Sequence, residues 1–175
     1  MVLVVGGAAS GKSAYAEKLL CRLSGNAPRI YLAAMHPFGA EAEARVQRHR
    51  AARASYGFQT MECYVNLKRA AVPSGAAVLL EDVGNLCANE LYDGAGSGDG
   101  AADAIVDGVA ALQARCAALV IVSNEVGSGG ARYAGDTLRY LRTLGEVNRR
   151  LAARADAVCE VACGIAAYYK GEEPR

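Results

Sequence analysis

The chain has no tryptophan, two phenylalanines, two histidines and four prolines in 175 residues. Its cysteines, Cys21, Cys63, Cys87, Cys116, Cys159 and Cys163, form no Cys-x-x-Cys pair, so the ligand spacing of a zinc site is missing. Thiols scattered in this way read as reduced, the usage expected of a cytoplasmic protein. No apolar run approaches the ~18 residues that suggest a membrane span, the best being Ala117 to Val122. The start, Met1 to Gly7, lacks the basic residues and small-residue cleavage site of a secretory signal. Charge of one sign is lacking too, with 19 Lys and Arg against 18 Asp and Glu and a formal net charge of +1. That balance leaves no whole-protein electrostatic footprint of a dedicated nucleic-acid or polybasic membrane binder.

What the chain does contain is 53% apolar residues. A chain of this length buries roughly 70% of the surface its unfolded form exposes, enough for one core without staples, so residues 1–175 read as a single domain. Short β-branched runs alternate with amphipathic stretches, the pattern of strand-helix-strand units building a mostly parallel sheet covered on both faces. The strand candidates are Val2 to Val5, Arg29 to Leu32, Ala76 to Leu80, Leu119 to Val122 and Val158 to Val161, with weaker runs at Phe58 to Cys63 and Ile165 to Tyr169. Helices are expected at Lys12 to Leu23, Glu41 to Ala54, Val83 to Tyr92, Ala101 to Arg115 and Asp136 to Ala155. In the last, Leu138, Leu141, Leu144, Val147, Leu151 and Ala155 recur every three or four residues. Asp93 to Gly100 reads as a glycine-rich surface loop, and the residues from Lys170 to Arg175 as a frayed tail.

The strongest motif is Gly6-Gly7-Ala8-Ala9-Ser10-Gly11-Lys12-Ser13, which fits Gly-x4-Gly-Lys-Ser/Thr between a predicted strand and a predicted helix. Glycines allow the tight loop whose backbone N–H groups surround anionic oxygens, and the helix N-terminus points its partial positive charge at the same place. Lys12 supplies a point charge for the β- and γ-phosphates, and Ser13 a hydroxyl for Mg2+. Such a loop works with an acidic group at the end of a neighbouring strand, and Glu81, directly after Val78-Leu79-Leu80, is the first choice. Asp82 is the alternative, and the pair could equally cap the next helix. The expected fold is therefore α/β, a P-loop NTPase-like three-layer domain. A third candidate, Ser123-Asn124-Glu125-Val126-Gly127-Ser128-Gly129, follows a buried strand, where polar groups in open α/β sheets face the ligand. A plain turn explains the same letters.

The segment Arg45 to Arg53 holds four arginines and His49, and helical spacing puts Arg45, His49 and Arg53 on one face. Such a face can clamp a polyphosphate while keeping an imidazole available as nucleophile or general acid, and its cations favour the neutral ring that attack requires. A solvated basic surface is the plainer reading. His36 is taken as a loop histidine.

Together these residues resemble the bifunctional adenosylcobinamide kinase / adenosylcobinamide-phosphate guanylyltransferase family of cobalamin biosynthesis. The likeness rests on Val5 to Ser13, Tyr31 to Ala33, Arg45 to His49, Thr60 to Cys63, Leu79 to Glu81, Asn124 to Gly127 and Gly145-x-Val-Asn148 running into Leu151-Ala152, an ordered set across nearly the whole chain. The resemblance implies that His49 is guanylylated. It also implies nucleotide contacts at the P-loop, at Ala33, Ala34 and Met35, at Arg50, Ala51, Ala52 and Arg53, and at Glu62 and Glu81. GTP and ATP are the implied nucleotides, adenosylcobinamide and its phosphate the implied acceptors, and a homo-oligomer, typically a trimer, the implied assembly. The chain departs from the family pattern at Gly130 to Arg132 and at Leu138 to Arg142, where many members carry an Ile-Val-Pro-like stretch and an Arg-x-aromatic-Arg-Asp cluster.

Two other readings use the same loop. A P-loop kinase of another small alcohol would phosphorylate without a protein-bound nucleotide. A nucleotide-dependent switch would gate a partner by hydrolysis, but the chain has no Asn-Lys-x-Asp to read guanine, and its one Asp-x-x-Gly, Asp93 to Gly96, falls in the glycine-rich loop.

Overall fold

The computed structural model describes residues 1–36, 56–127, 129–130 and 132–174. Its strands are β1 (Val2–Gly6), β2 (Arg29–Ala33), β3 (Phe58–Glu62), β4 (Ala77–Glu81), β5 (Ala118–Asn124), β6 (Ala157–Ala162) and β7 (Ile165–Lys170). Its helices are α1 (Lys12–Leu23), α2 (Val83–Tyr92), α3 (Ala101–Gln113) and α4 (Gly135–Arg154), with short 3-10 turns at Leu67–Arg69 and Gly98–Gly100. The helix expected at Glu41 to Ala54 lies outside the described residues.

The strands form one sheet in the order β3-β2-β4-β5-β1-β6-β7. Every neighbouring pair is parallel except β6 and β7, which meet as an antiparallel hairpin. Alternation along the strands sends side chains to opposite faces and builds two cores. Leu3, Ile30, Leu32, Val78, Leu80, Leu119 and Ile121 join one core, against Leu86 of α2, Ile105 and Leu112 of α3, and Leu144, Val147 and Leu151 of α4. Val2, Val4, Tyr31, Leu79, Val120, Val122 and Cys159 join the other, against Ala16, Leu19 and Leu20 of α1. This is the three-layer α/β arrangement of a P-loop NTPase-like fold. Each fully buried Leu or Ile in it contributes about 1.5–3 kcal/mol of transfer free energy.

Two features depart from the sequence pattern. Helix α4 buries Leu144, Val147 and Leu151 but leaves Leu138 and Leu141 only partly covered, so its first half overhangs the C-terminal edge of the sheet. The glycine-rich segment is tied to its surroundings: Ser97 N–H donates to the buried Glu90 carboxylate at 3.0 Å, and Ala95 N–H to Asp93 Oδ1 at 2.8 Å. At the other end of the chain Lys170 Nζ donates to the Ala152 and Ala153 carbonyls at 3.1 and 2.9 Å, where the last turn of α4 leaves acceptors open. Beyond it Glu173 accepts from Arg22 and Tyr15 of α1.

Candidate active site

The loop from Gly6 to Ser13 joins the C-terminal end of β1 to α1, as its motif requires. Gly6 has no room for a side chain, because a Cβ there would stand 2.7 Å from both the Val161 carbonyl and Ser10 Oγ. Gly11 caps α1 at φ 91°, a left-handed conformation that glycine adopts without steric cost. The loop closes on itself through Ser10 N–H to Gly7 O at 3.3 Å. It is braced from outside by Gly164 N–H to Ser10 O at 2.8 Å and by Glu125 N–H to Gly6 O at 3.0 Å. Lys12 is 8% exposed, and its Nζ donates to Gly7 O at 3.0 Å, so the ammonium is held within the curve of the loop. Ser10 Oγ is buried with no hydrogen-bond partner among the described residues.

Glu81, the first choice as acidic partner, and Asp82, the alternative, stand in different surroundings. Ser13 Oγ donates to Glu81 Oε1. Asp82 instead caps α2, accepting from Asn85 N–H at 2.7 Å and from the Asn85 carboxamide at 2.9 Å. The hydroxyl and carboxylate brought together by Ser13 and Glu81 are hard oxygen donors, the set that suits Mg2+. Among the described residues no cluster of three or more His, Cys, Asp or Glu could hold a metal by itself. A cation here would therefore share its coordination with phosphate oxygens.

Of the residues that the resemblance adds, Ala33, Ala34 and Glu62 fall along the same sheet edge. In register, Ala33 at the end of β2 stands beside Glu62 at the end of β3 and Glu81 at the end of β4. Ala34 N–H continues the ladder to Glu81 O at 2.9 Å, and Cys63 N–H continues it to Ala33 O at 2.9 Å. Four strand intervals separate Glu62 from Gly6, a row about 19 Å long at the usual spacing between neighbouring strands. Asn124, paired in register with Gly6, turns its carboxamide towards Gly84 in the first turn of α2, while Glu125 is exposed at the rim. Tyr140 of the overhanging α4 also approaches Gly84, and burial pushes its phenol up to about 12. His49 and Arg50, Ala51, Ala52 and Arg53 lie outside the described residues, as does Arg45.

Sequence reasoning missed Asn89 and Glu90, which help hold this edge in place. Asn89 and Glu90, inside α2, bond to the loops after β2 and β3, and Glu90 is 1% exposed. Ser123 Oγ donates to Asn148 Oδ1 at 2.6 Å, fastening the tip of β5 to α4. The one available signal was polar residues placed where the helix pattern calls for a buried face. His36 stacks on Tyr64, with ring centroids 3.7 Å apart, and its Nε2 lies 3.8 Å from Asp93 Oδ2.

The chain matches, over residues 2–168, the family model described as cobinamide kinase / cobinamide phosphate guanyltransferase. It is 36% identical to the bifunctional adenosylcobalamin biosynthesis protein CobU of Salmonella typhimurium, covering 94% of this chain and 97% of that protein. Identity to CobU of Escherichia coli is 33%, with the same two coverages. The bifunctional adenosylcobalamin biosynthesis protein CobP of Pseudomonas aeruginosa is 30% identical, over 97% of both chains.

Proposed function

The chain belongs to the cobinamide kinase / cobinamide phosphate guanyltransferase family, and from that premise we propose a division of its two reactions between the P-loop and His49. The protein is a bifunctional transferase of cobalamin biosynthesis that uses GTP or ATP as nucleotide substrates. The observation that carries the assignment of residues is the contact of Ser13 with Glu81, which puts the P-loop and a strand-end carboxylate at one point of the sheet edge.

In the first reaction the hydroxyl of adenosylcobinamide attacks the γ-phosphorus of GTP or ATP, and the bond to the β-phosphate oxygen breaks. The loop N–H groups and Lys12 hold the phosphates in line, and charge stabilisation together with positioning supplies most of the rate. Ser13 and Glu81 are the residues that would hold Mg2+. When bound, that ion neutralises charge developing on the β- and γ-phosphate oxygens.

In the second reaction an imidazole nitrogen of His49 attacks the α-phosphorus of GTP, pyrophosphate leaves, and a guanylyl-histidine remains. The phosphate of adenosylcobinamide phosphate then attacks the same phosphorus and releases His49, giving adenosylcobinamide-GDP. Splitting the transfer at a phosphoramidate explains why a nucleophile is needed besides the P-loop. Ala33, Ala34, Met35, Arg50, Ala51, Ala52, Arg53 and Glu62 contact the nucleotide in this reading. The protein works as a single-domain cytoplasmic homo-oligomer, with a trimer as the expected state.

Intact-protein mass spectrometry after incubation with GTP and Mg2+, without corrinoid, tests the assignment. The wild type should gain an acid-labile guanylyl group that adenosylcobinamide phosphate removes, and His49→Ala should gain none. A wild-type protein that binds GTP but forms no adduct would overturn the guanylyl-histidine.

A further inference from the structure

Ala34 and Tyr64 follow β2 and β3, each one residue past the last ladder bond between the two strands, from Cys63 N–H to Ala33 O. A carboxamide bridges them. Asn89 Nδ2 donates one hydrogen to Ala34 O at 2.8 Å and the other to Tyr64 O at 2.9 Å. Both partners are carbonyl oxygens, so only the nitrogen can occupy this position and the orientation of the amide is settled by chemistry. Each of its two hydrogens has its own acceptor.

The strap is anchored at both ends. Asn89 lies in α2, whose first turn is capped by Asp82, the residue after Glu81. On the loop side, Ala34 is fully buried and its N–H donates to Glu81 O. The neighbouring residue Glu90 accepts from Asn66 N–H at 2.6 Å, holding the continuation of the β3 loop against the same helix. The His36 and Tyr64 rings stack just beyond the strap.

We propose that Asn89 is a positioning residue for the nucleotide: it ties the loop that carries Ala34 and Met35 to the segment that follows Glu62, at the spacing the bound nucleotide requires. The inference rests on the assignment of those residues to nucleotide contact made above. Asn89 touches backbone carbonyls of the loops and acts through them. Loss of the strap therefore weakens binding of the nucleotide while the His49 step, once GTP is seated, proceeds at nearly its normal rate. Asn89→Asp is the sharpest probe, because it keeps the shape of the side chain but faces two carbonyl oxygens with a carboxylate that has no hydrogen to give. Asn89→Ala removes the donors without adding charge, and is the variant to read should Asn89→Asp fail to fold.

The experiment measures, for the folded full-length wild type and both variants, the dissociation constant for GTP by equilibrium dialysis. It also measures the GTP dependence of guanylyl-adduct formation by mass spectrometry. The dissociation constant and the half-saturating GTP concentration should both rise about tenfold, the size expected for losing the hydrogen bonds that hold a binding loop, with the plateau rate within about threefold of wild type. A merely structural role would lower the plateau through loss of active protein and leave half-saturation where it was; that result overturns the proposal, as does unchanged GTP affinity in a folded variant. If the wild type binds GTP without forming an adduct, the guanylyl-transfer reading falls, and the dissociation constants alone then decide the role of Asn89.

Discussion

The two ends of the sheet edge that carries the P-loop are built by different means. At β1 the chain is held by backbone: Ser10, Gly164 and Glu125 exchange main-chain hydrogen bonds around a loop whose Gly6 cannot carry a Cβ. At β2 and β3 the loops are held by the side chains of one helix, through Asn89 to two carbonyls and Glu90 to Asn66. A backbone scaffold tolerates changes of letter as long as the glycines remain. A side-chain scaffold can be loosened one residue at a time, so the P-loop end fixes chemistry common to many nucleotide enzymes, and the α2 end is where affinity can be tuned.

The largest expected effect separates the two chemistries themselves. His49→Ala should abolish guanylyl transfer and leave phosphorylation of adenosylcobinamide within about threefold of wild type, by product chromatography. Equal loss of both activities in a folded, GTP-binding variant would show that the two reactions share the histidine. Next, Lys12→Ala should slow the kinase reaction by about 10^2–10^3-fold, because an ammonium held inside the loop stabilises charge that develops in transfer. A drop of less than threefold would remove Lys12 from that role.

The contrast between scaffolds is tested by stability. Gly6→Ala drives a methyl group towards the Val161 carbonyl, which cannot move without the sheet, and should cost about 1–3 kcal/mol in denaturant unfolding. Glu90→Ala leaves two backbone N–H groups without their acceptor and should cost a similar 1–3 kcal/mol or so. The two should differ in chemistry rather than in size. Burial, with the Glu90 charge adding to it, pushes the Cys87 thiol up to about 12, so in the wild type it should resist alkylation at pH 8. It should become reactive in Glu90→Ala as α2 loosens and stay protected in Gly6→Ala. Equal protection of Cys87 in both variants would break the distinction. The smallest effect belongs to Arg139, which meets Asp99 in the glycine-rich segment at 2.6 Å, where Asp99 is 98% exposed. Arg139→Ala should change stability by about 0.2–1 kcal/mol or less, and less still at high salt.

The same contrast governs how much could be read from the letters. The P-loop was legible because backbone geometry demands particular residues at fixed offsets, so Gly6, Gly11, Lys12 and Ser13 announce themselves. The buried strands were legible from their β-branched runs, whereas β3 and β7 gave weaker signals because edge strands cover one side only and carry Gln59, Glu62 and Lys170 among their apolar residues. Sequence ranked Glu81 ahead of Asp82 only because it directly follows the apolar run, since adjacent letters at a strand end do not reveal which turns towards Ser13. Asn89 and Glu90 stayed hidden for a different reason. A polar residue in a helix ordinarily faces water, and only the return of the loops after β2 and β3 against α2 makes these two buried ties.

The brace of the P-loop by Gly164 has a consequence for how the protein comes into being. Residues 6–13 are made well before their supports, which lie more than a hundred residues later: Glu125 after β5, Val161 in β6 and Gly164 in the β6–β7 turn. Strand β1 itself is enclosed between β5 and β6, so it has neither neighbour while it is being made. At about 5–20 residues per second, that leaves roughly 8–30 s in which the loop's letters are present without the backbone supports that shape it. The motif is thus in place long before the backbone supports that give it its shape.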